Sequence, residues 1–150
     1  RNKIDHFVQY IDMFDSDWNN LGQKAIELGT TDLSFSPSLL GSGMITCKPV
    51  KGLALSLQSK YVGNQYIDNT SHKDRMLKDY FVHGILGSYH FRTRLFSEIS
   101  LNVSVNNLFS SRYETNGWVY PYLFDGQYSE YNGYFPQALI HFLAGLTLKL

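Results

Sequence analysis

From Ala138 to Leu150 the even positions read Ala138, Ile140, Phe142, Ala144, Leu146, Leu148 and Leu150, all apolar. The odd positions include His141, Gly145, Thr147 and Lys149, with Leu139 and Leu143 as exceptions. A period of two over this length specifies a strand with one apolar face and one mostly polar face. It exceeds the roughly 5–6 residues common in soluble sheets and reaches the roughly 9–11 that cross a bilayer obliquely. In water, so long and apolar an edge strand invites aggregation. In a bilayer, lipid solvates the same face. The chain stops on this strand, with no cap or tail.

Two further segments alternate as cleanly. Leu53, Leu55, Leu57 and Tyr61 oppose Ala54, Ser56, Gln58 and Lys60, and Ile99, Leu101, Val103 and Val105 oppose Ser100, Asn102, Ser104 and Asn106. Tyr80–Phe91 is a strand with Phe81, Ile85, Tyr89 and Phe91 outward; His83 shares that face near the loop end, at an interface zone or bulge. Arg1–Asp12 reads as a strand, and Met13–Gln23, rich in Asp, Asn and Gly, as a loop. Lys24–Lys48 is extended but irregular, with Pro37 at a bulge or edge and Gly41 and Gly43 suited to a bent wall. The expected fold is all-β: about six antiparallel, up-and-down transmembrane strands, part of a larger barrel. Short links (Pro49–Gly52, Arg92–Ser97) alternate with long ones (Met13–Gln23, Asp68–Asp79, Ser111–Gly133). Outer-membrane barrels keep short turns in the periplasm and long loops outside. That rule puts the long set outside and Leu150 in the periplasm.

The ending Gly145-Leu-Thr-Leu148-Lys-Leu150 resembles the C-terminal insertion signal of bacterial outer-membrane barrels. Lys60-Tyr-Val-Gly-Asn-Gln-Tyr-Ile-Asp-Asn-Thr70, Val105-Asn-Asn-Leu-Phe109 with Tyr113 close behind, and Tyr134-Phe-Pro-Gln137 extend the likeness in order and spacing. Nearly all of the chain resembles the C-terminal barrel of TonB-dependent outer-membrane receptors, particularly those of Bacteroides-like bacteria. The family usually ends on an aromatic where this chain has Leu150, and many members carry Gly-Arg where Gln137-Ala138 follow Pro136. The resemblance implies a multi-pass protein of the cell outer membrane that takes up a scarce nutrient: an iron chelate, cobalamin or a glycan. Its implied partners are outer-membrane lipid, the barrel-assembly machinery, the plug and upstream strands of the receptor, and the TonB complex acting through an N-terminal part not present here. Such transporters have about 22 strands around a plugged lumen, so this chain is expected to be a C-terminal segment lacking the plug.

Composition agrees with a barrel. Eleven Tyr and ten Phe stand against only four Pro, a level suited to bilayer belts or a ligand-gripping surface. Average hydropathy looks soluble, but lumen-facing polar residues cancel lipid-facing ones in any barrel. The formal net charge is zero, so nothing favours nucleic acid. Cys47 is the only cysteine and has no metal-type partner. It reads as a small buried or lipid-facing side chain. The start Arg1-Asn-Lys-Ile shows no signal peptide, so any such signal was removed or lies upstream.

Enzymatic readings fail: there is no nucleophile elbow, no acidic pair in a strand-end context and no phosphate loop. His6, His72, His83, His90 and His141 show no ligand spacing, so neither a metal nor a cofactor is expected. Asp68 and Asp79 bracket one loop and more often solvate it than hold a cation. Candidate ligand contacts are the external-loop residues Trp118, Tyr120, Tyr122, Asp125, Tyr128, Tyr131 and His72. Aromatics spaced by two, with Phe124 among them, form a platform for a sugar, a corrin or a catecholate-like ligand; otherwise they are girdle and wall residues of strands that extend above the membrane. Asn106-Asn107-Leu108-Phe109 reads as structural, with Asn106 lumenal and Phe109 in the external belt. Two alternatives from other classes remain: a small passive or structural barrel, and a soluble aromatic-rich β-sandwich that binds carbohydrate. Because an unpaired strand in lipid leaves backbone groups costing several kcal/mol each, the terminal strand should be essential. Deleting Leu148–Leu150 from the full-length protein should abolish outer-membrane assembly, and Leu150→Phe should preserve or improve yield; normal yield after the deletion rules the role out.

Overall fold

The computed structural model describes residues 2–150. It is all-β: β1 (Lys3–Phe14), β2 (Asn20–Asp32), β3 (Leu40–Cys47), β4 (Leu53–Val62), β5 (Gln65–Tyr66), β6 (Met76–Leu77), β7 (Tyr80–Phe91), β8 (Glu98–Asn106), β9 (Glu114–Phe124), β10 (Gln127–Pro136) and β11 (His141–Lys149). Among the described residues no helix is long and apolar enough to cross a membrane. The chain divides into two compact units. The first comprises residues 1–38, 63–79 and 113–136; the second, residues 39–62, 80–112 and 137–150.

The second unit is one open sheet in the order β11-β8-β7-β4-β3. Its neighbours are antiparallel throughout, and the pairing runs without a bulge. Register carries the alternation from strand to strand. Cys47 and Ile45 oppose Leu55 and Leu57, which oppose Gly87 and Ile85. Tyr89 and Gly87 oppose Leu101 and Val103, which oppose Leu146 and Ala144. Ser56, Ser88, Asn102 and Ser104 line up on the other face. One face is therefore apolar apart from the Ser59–His83 pair near one end, and the other carries Ser and Asn together with Leu86 and Leu143. The apolar face stays exposed: Ile45, Leu57, Leu101, Phe142 and Leu146 all stand open. A soluble domain buries such a face against a second layer, and this unit consists of one sheet. Short turns at 48–52 and 92–97 close one edge of the sheet, while the long excursions 63–79 and 107–140 leave from the other.

The first unit holds the sheet β10-β9-β1-β2 and the two-stranded β5-β6. Ile11 at 2% exposure and Leu77 at 1% mark its small core, with Tyr66, Ile67 and Tyr122 also buried. β1 and β9 run parallel, pairing over Asp12–Phe14 and Tyr122–Phe124.

Several expected boundaries differ. Eleven strands replace about six, because the aromatic segment 113–136 is the hairpin β9–β10 and the charged segment 68–79 contains β6. The anticipated loop Met13–Gln23 shrinks to a turn at 15–19, Asn20 and Gly22 having been absorbed into an exposed strand. The irregular stretch Lys24–Lys48 is β2 and β3, with Pro37 in the break between them. The final strand begins at His141 rather than Ala138. Within each unit the described strands form open sheets, which does not depart from the expectation of part of a larger barrel. Leu101 and Asn102 test the facing directly, since they sit side by side on opposite faces. In lipid, Leu101→Arg should cost about 2–4 kcal/mol and Asn102→Arg far less; equal tolerance in a refolding assay contradicts the assignment.

Candidate functional site

Ring contacts gather on one face of the β1–β9–β10 sheet. Tyr120 and Tyr122 alternate along β9 and stack with centroids 6.0 Å apart. Tyr131, opposite Tyr120 on β10, stacks on Tyr122 at 5.7 Å. Phe14 of β1 meets Tyr122 at 6.4 Å. Trp18 then contacts Phe124 at 4.5 Å, Phe14 at 5.6 Å and Tyr122 at 5.8 Å. Asp12 borders the rings: its carboxylate accepts from the Tyr120 hydroxyl at 2.6 Å and from the Gln23 amide at 2.8 Å. Those two bonds hold Asp12 below the usual carboxylate range, and the partner bond raises Tyr120.

Trp18 owes its position to a clamped turn. Asp15 Oδ1 accepts from the backbone N–H of Asp17 at 2.9 Å and of Asn19 at 2.8 Å. The Asn19 side chain donates to the same carboxylate, and these bonds hold Asp15 acidic. Trp18 sits at φ 61°, a left-handed conformation that costs a non-glycine residue about 1–2 kcal/mol. It still leaves the indole 57% exposed. Here strain presents a ring instead of burying it.

The opposite face of the same hairpin carries a polar cluster. A two-residue turn, Asp125 at φ 46° and Gly126 at φ 76°, joins β9 to β10 and suits a tight hairpin. Gln127 pairs with Phe124, so odd positions on β10 share a face with even positions on β9. Tyr128 and Glu130 consequently point away from the rings. Arg75, 3% exposed, bonds Glu130 at 2.7 Å and Asp68 at 2.7 Å and contacts the Tyr128 hydroxyl. The bond from Tyr128, followed by Arg75, holds Glu130 below its ordinary value. Burial opposes the charge on Arg75, but its bonds to Glu130 and Asp68 outweigh that and raise it. Burial and the bond to Glu130 push Tyr128 up to about 12. Gln9, Ile11, Ile26, Thr70 and His72 line the adjoining cleft.

Of the expected ligand contacts, Tyr120, Tyr122 and Tyr131 come together, with Phe124. Trp118 shares their face but lies across Gly133, where any side chain would collide with its indole. Three others are elsewhere. Tyr128 serves the Arg75 cluster, Asp125 forms the hairpin turn, and His72 sits beside Asp74 at 3.7 Å. Asp68, considered as a loop solvator, is an Arg75 partner instead. Phe14, Trp18 and Asp12 were missed, although Tyr10, Asp12 and Phe14 alternate on β1. Among the described residues no group of three His, Cys, Asp or Glu side chains is placed to hold a metal ion. Comparison of the chain with protein-family models, curated proteins and solved structures returned no match.

Glu130 gives the Arg75 cluster a pH dependence. Its lowered value means that its stabilisation is complete above the ordinary carboxylate range and is lost as pH falls through the lowered value. Glu130→Gln should therefore flatten the acid limb of the unfolding profile. Arg75→Leu should cost about 3–5 kcal/mol at neutral pH by stranding its carboxylates. Denaturant titration across pH reads both, and an unchanged acid limb in Glu130→Gln refutes the linkage.

Proposed function

We propose that this chain supplies part of the wall and the external face of a TonB-dependent outer-membrane receptor that takes up a scarce nutrient. The observation that carries the reading is the five-stranded sheet with one face apolar but for the Ser59–His83 pair and one face rich in Ser and Asn. Lipid accepts the first and a water-filled or plugged lumen the second. Aromatic belts support it. Phe81 and Phe91 lie on the same face of β7, about 33 Å apart along a strand rising ~3.3 Å per residue. A strand tilt of about 40° reduces this to about 25 Å, the height of a barrel's apolar band. Tyr61 meets Phe81 at 6.3 Å, and Tyr89 stacks on Phe91 at 5.3 Å, so each end carries more than one ring.

His83 fits the same frame. It lies one outward position below Phe81, bonds Ser59 at 2.8 Å and packs between Phe81 and Phe109. A polar pair at that height belongs to the interface, beside the external belt. Phe109 takes its place because Asn107 turns the chain after β8 at φ 49°.

In this reading Gly145, Leu148 and Leu150 serve insertion through the barrel-assembly machinery. The plug, the remaining strands and the contact with the TonB complex belong to other parts of the receptor. Five strands are too few to enclose a plugged lumen. A soluble carbohydrate-binding sandwich, the competing reading, has to cover the apolar face, and its second unit offers one layer only.

Cysteine labelling tests the orientation. With Cys47 replaced by Ser, cysteines at Lys73 and Gln127 should react with an impermeant reagent on intact cells. A cysteine at Lys51 should react only after the outer membrane is opened. The reverse pattern inverts the topology, and equal labelling of all three removes the membrane.

A further inference from the structure

We infer that the face built by Phe14, Trp18, Tyr120, Tyr122 and Tyr131 binds an uncharged, hydroxyl-rich ligand, a carbohydrate, with a sugar ring stacked on the Trp18 indole. This names the ligand class for the uptake role proposed above and rests on that role only for its place in transport. The first argument is shape. The five rings meet at 5.6–6.4 Å, with Tyr122 buried among the others, so they back the open indole with a continuous surface. A quaternary ammonium ion is held by rings that enclose it, and no gap is left here to enclose one. A continuous surface suits the flat C–H face of a pyranose.

The second argument is charge. Between Lys3 and Lys24 the chain carries Asp5, Asp12, Asp15 and Asp17 and no Lys or Arg; residues 113–136 carry Glu114, Asp125 and Glu130, again without a cation. Arg75 serves the opposite face of the hairpin and is already occupied by Asp68 and Glu130. Anionic ligands, including catecholate and phosphate-bearing ones, meet like charge and no counter-ion.

The third argument is hydrogen bonding. Carboxylates only accept; Asp12, beside the rings with one bond on each oxygen, keeps acceptor sites for a ligand that donates. Sugar hydroxyls donate; a metal catecholate offers acceptors only. The placement of Trp18 points the same way. A turn whose only task is to reverse the chain accommodates glycine at φ 61° without strain, yet this one holds an indole open to solvent.

Within residues 1–150, Trp118→Phe leaves Trp18 as the only tryptophan, and the part of the ligand-induced emission change that Trp18→Gly removes is the reporter. In the full-length receptor, a panel of neutral linear oligosaccharides of differing linkage should include one that shifts this emission saturably. Ferric dihydroxybenzoate and tetramethylammonium should not. In otherwise wild-type protein, Trp18→Gly should keep the β content by circular dichroism, because glycine relaxes the turn, and should weaken oligosaccharide binding measured by calorimetry about tenfold. Trp118→Phe should bind like wild type. Saturation by either control probe alone, no saturation by any sugar, or undiminished binding in a folded Trp18→Gly protein overturns the assignment. Detergent partitioning separates the two readings: a sugar-binding protein that stays in the aqueous phase sinks the barrel and spares this site. An embedded protein blind to every sugar does the opposite.

Discussion

The ladder β3-β4-β7-β8-β11 holds one register across every strand, and the second unit depends on it. A slip of one residue in β8 alone would carry Ser100, Asn102 and Ser104 to the side of Leu57 and Leu146. In the proposed membrane setting, each misplaced polar group lacks water as a partner. The constraint is therefore strongest where the sheet looks weakest, on a face that no protein layer covers. The turns at 48–52 and 92–97 keep the register by being short: the backbone of Gly52 accepts from the His90 N–H at 2.8 Å, which ties the first of them to β7.

The first unit is held differently. It has little apolar volume to bury, and Ile11, Ile67 and Leu77 make a modest core. A buried guanidinium supplies specificity in its place. Arg75 fixes segment 63–79 against β10 through Glu130 while Asp68 and Thr70 from its own segment complete its donors. Replacing such a cluster with apolar residues is often neutral for stability, whereas breaking half of it is not. What the ions add is one allowed docking geometry for the segment, and the rings on the other side of the hairpin inherit that precision.

The alternation of Leu53–Lys60 and Ile99–Asn106 made the facing of β4 and β8 legible in sequence, because a period of two needs no partner to be seen. The hairpin β9–β10 was readable in retrospect from Asp125-Gly126, whose turn reverses parity and separates Tyr128 from Tyr131. Without that turn in mind, both looked like parts of one aromatic row. Trp18 was hidden for a stronger reason. Aspartate and asparagine around it spell a loop, and nothing local announces that a tryptophan will occupy a left-handed position usually left to glycine or asparagine. The Asp12–Tyr120 bond spans 108 residues, and the parallel pairing of β1 with β9 that creates it has no signature in either strand alone.

Asn107 anchors the chain where β8 ends. Its side chain donates to the carbonyls of Ser111 and Ala138 and accepts from the Ser111 N–H, at 2.9–3.0 Å. One buried amide thus fastens both feet of a long excursion to the end of β8. Closing a flexible loop costs only about 0.6 kcal/mol more for each doubling of its length. With the feet fixed, the stretch between them can lengthen, shorten or be exchanged while the wall keeps its register. The molecule has in effect a cassette slot: a fixed clasp tolerates exchange of whatever it clasps, so what is recognised can change without a change in how the sheet is built.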